Sequence, residues 1–132
     1  MQGAHHAAKG VSFHGDHAGL YGQIYEEVND SIDGLIERAI GVCNDEFISC
    51  PIAITENTVI VLKEWESPAG KSATTLAELA LKYTEELVQI GEGTLVELRN
   101  VGCLSVGTEN LIAGYLDTHE SYVYLLKQRV KT

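Results

Sequence analysis

Four of the five histidines, His5, His6, His14 and His17, fall in the stretch from His5 to Glu37, together with Asp16, Asp30, Asp33 and Glu37. Imidazole nitrogens and carboxylate oxygens together suit borderline divalent metals such as iron and zinc. Asp33 and Glu37 are one helical turn apart, so their side chains can project from one face toward a common ion. Taken alone, an acidic pair at this spacing reads first as a solvated helix edge, with Glu37 beside Arg38. His6 and His14, near the terminus, read as solvent-exposed. His119 lies among apolar residues at helical spacing and reads as a hydrogen-bonded core or interface histidine. The six tyrosines also recur at helical spacing, so core packing is the expectation for them. No glycine loop has phosphate-binding order, and no Ser or Cys has an identifiable triad partner.

Three long helices must position these groups. From Phe13 to Cys43 the apolar residues Leu20, Ile24, Val28, Ile32, Leu35, Ile36 and Ile40 recur at three- and four-residue steps, which predicts a long amphipathic helix. Gly15, Gly19 and Gly22 weaken its first turns by about 1 kcal/mol each relative to Ala, favouring bending or close packing there. From Asn44 to Ser72, with Pro51 and Pro68 as punctuation, the pattern breaks into a crossover containing one short helix. Its run Thr58 to Leu62 leans toward strand but is too isolated to make a sheet. Thr75 with Glu78 has capping-box spacing and opens a second long helix, which Gly91 and Gly93 interrupt and Thr94 with Glu97 is expected to bend or restart. Thr108 is read as the cap of a last helix whose stripe is Leu111, Ile112, Tyr115, Leu116, His119, Tyr122, Val123 and Leu126. Lys127, Arg129 and Lys131 at its end complement the helix dipole.

A chain of 132 residues has the usual size of one domain, so residues 1–132 are expected to form one. No apolar run approaches the roughly 20 residues that span a bilayer. The N-terminus has no basic region followed by an apolar one, and the expected location is the cytoplasm. Cys43, Cys50 and Cys103 make an odd count without a close CxxC pair, so buried free thiols are expected rather than a disulfide framework or a thiolate zinc site. A formal net charge of -10 repels phosphate backbones and favours cations.

The run His5-His6-Ala7-Ala8-Lys9-Gly10-Val11-Ser12-Phe13-His14-Gly15-Asp16-His17 resembles, without a gap, the signature of the Dps mini-ferritins of the ferritin-like superfamily. Ile32-Asp33-Gly34-Leu35-Ile36-Glu37-Arg38-Ala39 is similar to the later part of that signature, and the last helix, with Asn110, Ile112, His119 and Leu126, to the family's last helix. The resemblance implies an all-α, ferritin-like four-helix bundle with a short helix in its long crossover. The chain begins four residues before His5, so the first helix of that bundle is expected to be largely missing. The implied site is a ferroxidase centre at a two-fold interface, with His5 and His17 from one subunit and Asp33 and Glu37 from its mate. Its implied function is iron(II) oxidation by peroxide or oxygen and iron storage, protecting against oxidative stress. Iron is the implied metal, with zinc or another divalent metal as the alternative. The implied partner is a second copy, with extension to a dodecameric cage left open. The spacing from His17 to Asp33 is one residue longer than the family's, so either a π-bulge absorbs the extra residue or Ala18 takes the second ligand position. Tyr21, or alternatively Gly22, stands where the family carries a further acidic ligand. The competing readings are a non-catalytic ferritin-like bundle, structural or with a weak metal site, and an unrelated helical interaction protein.

Asp33 lies 16 residues beyond His17. On a straight helix that is about 24 Å, far beyond the reach of side chains on one ion, and this requires the two halves to come from different copies. With a net charge of -10 and no basic tail, DNA association is expected to be weak or absent. A plasmid gel-shift at moderate salt with chelator present should show no retardation, and retention of the plasmid would contradict the electrostatic argument.

Overall fold

The computed structural model describes residues 1–131. It is all-helical, with no strand among the described residues. The helices are α1 (Gln2–Ala7), α2 (Gly22–Cys43), α3 (Pro51–Lys63), α4 (Ala73–Asn100) and α5 (Val106–Val130). Short 3-10 turns cover Gly10–Ser12 and Glu46–Ser49, and a π-helical segment, Gly15–Tyr21, leads directly into α2. The three long helices and the short crossover helix stand where the periodicity places them. The strand-leaning run Thr58 to Leu62 is the last part of α3, which Pro51 opens at its first turn, where its missing N–H costs nothing.

Neighbour contacts divide the chain into two compact units. The first comprises Met1–Glu26 and the chain from Pro68 onward. Its frame is the pair α4 and α5, joined by only five residues and therefore antiparallel. The hairpin turn accounts for its own backbone groups. Gly102, at φ +72°, is the left-handed residue of a Schellman motif, in which the Cys103 N–H donates to Leu98 O at 2.9 Å and the Gly102 N–H to Arg99 O at 3.2 Å. Arg99 and Glu109 pair across the turn at 3.2 Å.

Both helices of the hairpin start three residues earlier than Thr75 and Thr108 suggest. The caps are Ser72 and Ser105, whose hydroxyls accept from the backbone N–H of Thr75 and Thr108 at 3.1 Å in each case. The threonines are the capped third residues, not the caps. Nor does α4 restart at Thr94. It is continuous across Gly91 and Gly93, and the Thr94 hydroxyl donates to Ile90 O within the helix. Gly91 is there because of packing: a Cβ at that position would run into the Leu116 side chain of α5. Leu76, Ala77, Ala80, Leu116 and Leu126 form the core of the hairpin, joined from the N-terminal part by Tyr21 and Ile24.

The second unit, Glu27–Ser67, holds the remainder of α2, a turn with Asn44 at φ 50°, and α3. The side chain of Asp45 accepts from the Phe47 N–H at 3.0 Å and opens the 3-10 turn. None of this unit's residues is fully buried in the chain. The expected burial of the thiols is not met: Cys43 and Cys103 are exposed and Cys50 is half-buried. Each lies at a helix end, beyond the apolar stripe that would cover it. No helix of the described residues is long and apolar enough to cross a membrane.

The two glycines of α4 separate packing from propensity. Gly91→Ala is expected to destabilise by about 1–3 kcal/mol through overpacking against Leu116. At Gly93 nothing lies within 4 Å of the place a methyl group would take, so Gly93→Ala should stabilise by about 1 kcal/mol. Urea unfolding of the two variants checks the opposite signs.

Candidate functional site

His5 sits in α1 and His17 in the π segment, and the fold of the first unit brings them together. Their rings stack with centroids 3.9 Å apart and planes 17° from parallel. Each ring is tied to the other residue's backbone. His5 Nδ1 donates to His17 O at 2.7 Å, and His17 Nδ1 donates to His5 O at 2.8 Å. A carbonyl oxygen can only accept, so each Nδ1 must carry the proton. In the neutral rings the lone pair is then on Nε2, one of the two nitrogens through which imidazole can bind a metal ion. Both residues are half-buried.

The pair lies inside a longer stack. Tyr25 covers the His5 side at 6.0 Å and 21°, and Phe13 covers the His17 side at 4.9 Å and 18°. The ring of His6 is tilted against His5 at 5.2 Å, while the His6 and His14 residues are exposed, as their place near the terminus suggests.

The reciprocal bonding depends on the π segment. The Gly22 N–H donates to His17 O, five residues back, which is the π pattern. The same carbonyl also receives the His5 Nδ1–H. A Cβ on Gly22 would stand 2.6 Å from that oxygen and 3.4 Å from His5 Nδ1, so glycine keeps the approach open. The segment runs from Gly15 to Tyr21, and Ala18, within it, is exposed.

Asp16 leaves the metal-ligand candidates. It is 3% exposed and is held by Arg129 of α5, which donates from Nε and Nη2 to the two carboxylate oxygens at 2.8 Å each. Arg129 Nη2 also donates to Ser12 Oγ at 2.8 Å. The hydrogen bonds and charge of Asp16 hold the guanidinium even more firmly in its charged form. Tyr21, in the same segment, turns inward. It is fully buried, and its hydroxyl has no hydrogen-bond partner among the described residues. Burial first, and the Asp16 carboxylate second, push its phenol up to about 12, against the opposing pull of Arg129.

Asp33 and Glu37 lie on α2 in the second unit, both exposed, and neither makes a hydrogen bond or ion pair among the described residues. Asp30 is exposed as well. Among the described residues, no three His, Cys, Asp or Glu side chains of one chain converge as a metal ion needs. What the described residues of one chain bring together is the imidazole pair of His5 and His17 alone. His119 is a core histidine, fully buried, its Nδ1 donating to Tyr115 O at 2.9 Å, with Nε2 lacking a partner among the described residues.

The sequence does not mark the approach over Gly22 or the clasp between Asp16 and Arg129 as functional. The glycines at 15, 19 and 22 are the one available signal, since they point to a weakened helix. No family model, no curated protein and no solved structure matches the chain.

Two substitutions test this geometry. Gly22→Ala should destabilise by about 1–2 kcal/mol, the overpacking cost exceeding the gain in helix propensity, and should release the Nδ1 proton of His5 to solvent exchange, read by imidazole NMR. Tyr21→Phe should be neutral or stabilise by about 1 kcal/mol, because it removes a buried hydroxyl without a partner. The raised phenol pKa favours the neutral form in the folded chain. Its contribution is complete below pH 10 and is lost as the pH rises to about 12. An absorbance titration should find the last tyrosine ionising near that upper value, and Tyr21→Phe should remove this phase.

Proposed function

We propose that the chain is a subunit of a ferritin-like iron-binding protein, a Dps-like ferroxidase whose site is shared between two copies. His5 and His17 of one copy supply two Nε2 lone pairs, and Asp33 and Glu37 of the second supply carboxylate oxygens. The observation that carries the reading is the stacked imidazole pair, with both Nδ1 atoms committed to backbone carbonyls. With both Nδ1 atoms donating, the Nε2 lone pairs are the ones left to bind an ion.

Iron(II) is the substrate. Mixed imidazole and carboxylate ligation suits it and leaves coordination positions open to peroxide or oxygen, which takes the electron. The chain's residues bind and orient the ion, and the net charge of -10 draws cations to the surface. Iron storage in a closed assembly follows from the same reading, with zinc or another divalent ion as the competitor for the site.

Support for a second copy comes from what a single chain leaves uncovered. Ile32 on α2 is 42% exposed, and in the second unit Phe47, Ile52 and Ile60 are 75, 69 and 64% exposed. Apolar residues exposed on both sides of the polar turn 55–58 of α3 are the kind of surface that association covers. Of the apolar stripe Leu20, Ile24, Val28 and Ile32, Ile24 is already buried within its own chain, so Leu20, Val28 and Ile32 are left to meet a second copy. A second reading, a bundle with one weak metal position, is favoured by Tyr21, which turns inward where another acidic ligand would be needed. Native mass measured with metal content separates the two, one tightly bound iron per chain favouring the first.

The shared site has a direct test. Asp33→Ala with Glu37→Ala should abolish iron oxidation and leave the oligomer intact, and so should His5→Ala with His17→Ala. After dissociation and reassembly of the two variants at equal amounts, random pairing in a two-fold dimer restores about a quarter of the sites. Recovery of no activity in mixed assemblies of folded parents would rule out the shared site.

A further inference from the structure

We propose that Asp16 and Arg129 are positioning residues for this site, their ion pair holding the π register that sets His17 against His5. The inference rests on the metal-binding reading of the two histidines, and it adds a dependence on the far end of the chain, 113 residues away.

A run of π turns does not hold itself. Its i→i+5 bonds are uncommon beyond a single turn, and this one contains Gly15 and Gly19 and is followed by Gly22, residues that favour no helix. Something outside the segment must select it. Asp16 lies inside it, next to His17, and is the one buried carboxylate among the described residues. Arg129 grips both of its oxygens and also Ser12, just upstream, so a single guanidinium spans the entry to the segment.

The consequence for His17 is geometric. Were the segment to relax to α-helix, the Tyr21 N–H would take the His17 carbonyl, and the residues before it would turn by about 100° around the helix axis for each residue of register change. His17 could then no longer exchange Nδ1 bonds with His5. Arg129 therefore acts on the imidazole pair without touching it.

The test replaces both partners, Asp16→Asn with Arg129→Gln, so that no buried charge is left unpaired. In the metal-free protein, long-range ¹H–¹⁵N NMR reads the tautomer of each imidazole, and cobalt(II) titration followed by visible absorption reads the site. The wild type is expected to show both rings in the Nδ1–H form. The variant should keep its helical circular dichroism, lose the fixed tautomer at His17 and bind cobalt roughly tenfold or more weakly, the usual scale for residues that orient ligands. Arg129→Lys keeps the charge but lacks the planar fork. It should move the same two signals in the same direction, and it decides the matter if the double variant does not fold. Folded variants with wild-type tautomers and wild-type cobalt affinity would overturn the proposal. Failure of the wild type to bind cobalt would instead count against the metal-binding reading, with the tautomer signals still judging the role of the ion pair.

Discussion

Asp16 is a carboxylate placed where water scarcely reaches, and a buried charge is tolerated only when its oxygens are satisfied. Arg129 satisfies both, and so joins the last turn of α5 to the segment that precedes α2. Removing one partner of such a pair typically costs about 3–5 kcal/mol, because the other is left buried and unpaired. The ion pair thus acts as a constraint on register more than as a source of net stability. The π turns, the approach of His5 to the His17 carbonyl and the inward turn of Tyr21 all lie within one or two turns of it.

The same need to satisfy polar groups shapes the hairpin that carries Arg129. Ser72 and Ser105 cap the two helices, and the Schellman motif at Gly102 closes the turn between them. Gly91 lets Leu116 of α5 fit tightly against α4. The frame is consequently well determined by the hairpin's own contacts, and Arg129 ties it to the segment that carries Asp16 and His17.

The second unit contrasts with this. Its α3 carries Ile52, Ile54, Val59, Ile60, Val61 and Leu62, all exposed, on either side of the polar turn 55–58. Asp33 and Glu37 lie in the same unit, exposed and without a hydrogen bond or ion pair among the described residues.

Much of the architecture is legible in the order of residues. Apolar spacing alone marks α2, α4, α5 and the short helix of the crossover, because a helix must turn one face to the core and the 3.6-residue period records that face. The helix starts read three residues late, since Ser-x-x-Thr and Thr-x-x-Glu present the same capping chemistry and only the backbone path shows which hydroxyl accepts. Gly91 reads as a breaker in one dimension and is a contact in three. His5 and His17 are recognisable as candidates by type and spacing. Their mutual orientation is not, because it rests on a carbonyl exposed by a π turn and on a guanidinium 113 residues from Asp16. Local periodicity carries information only about neighbours within a few turns. Pairings across the whole chain, such as Asp16 with Arg129, become definite only when packing brings the segments together and burial makes an unpaired charge too costly to leave.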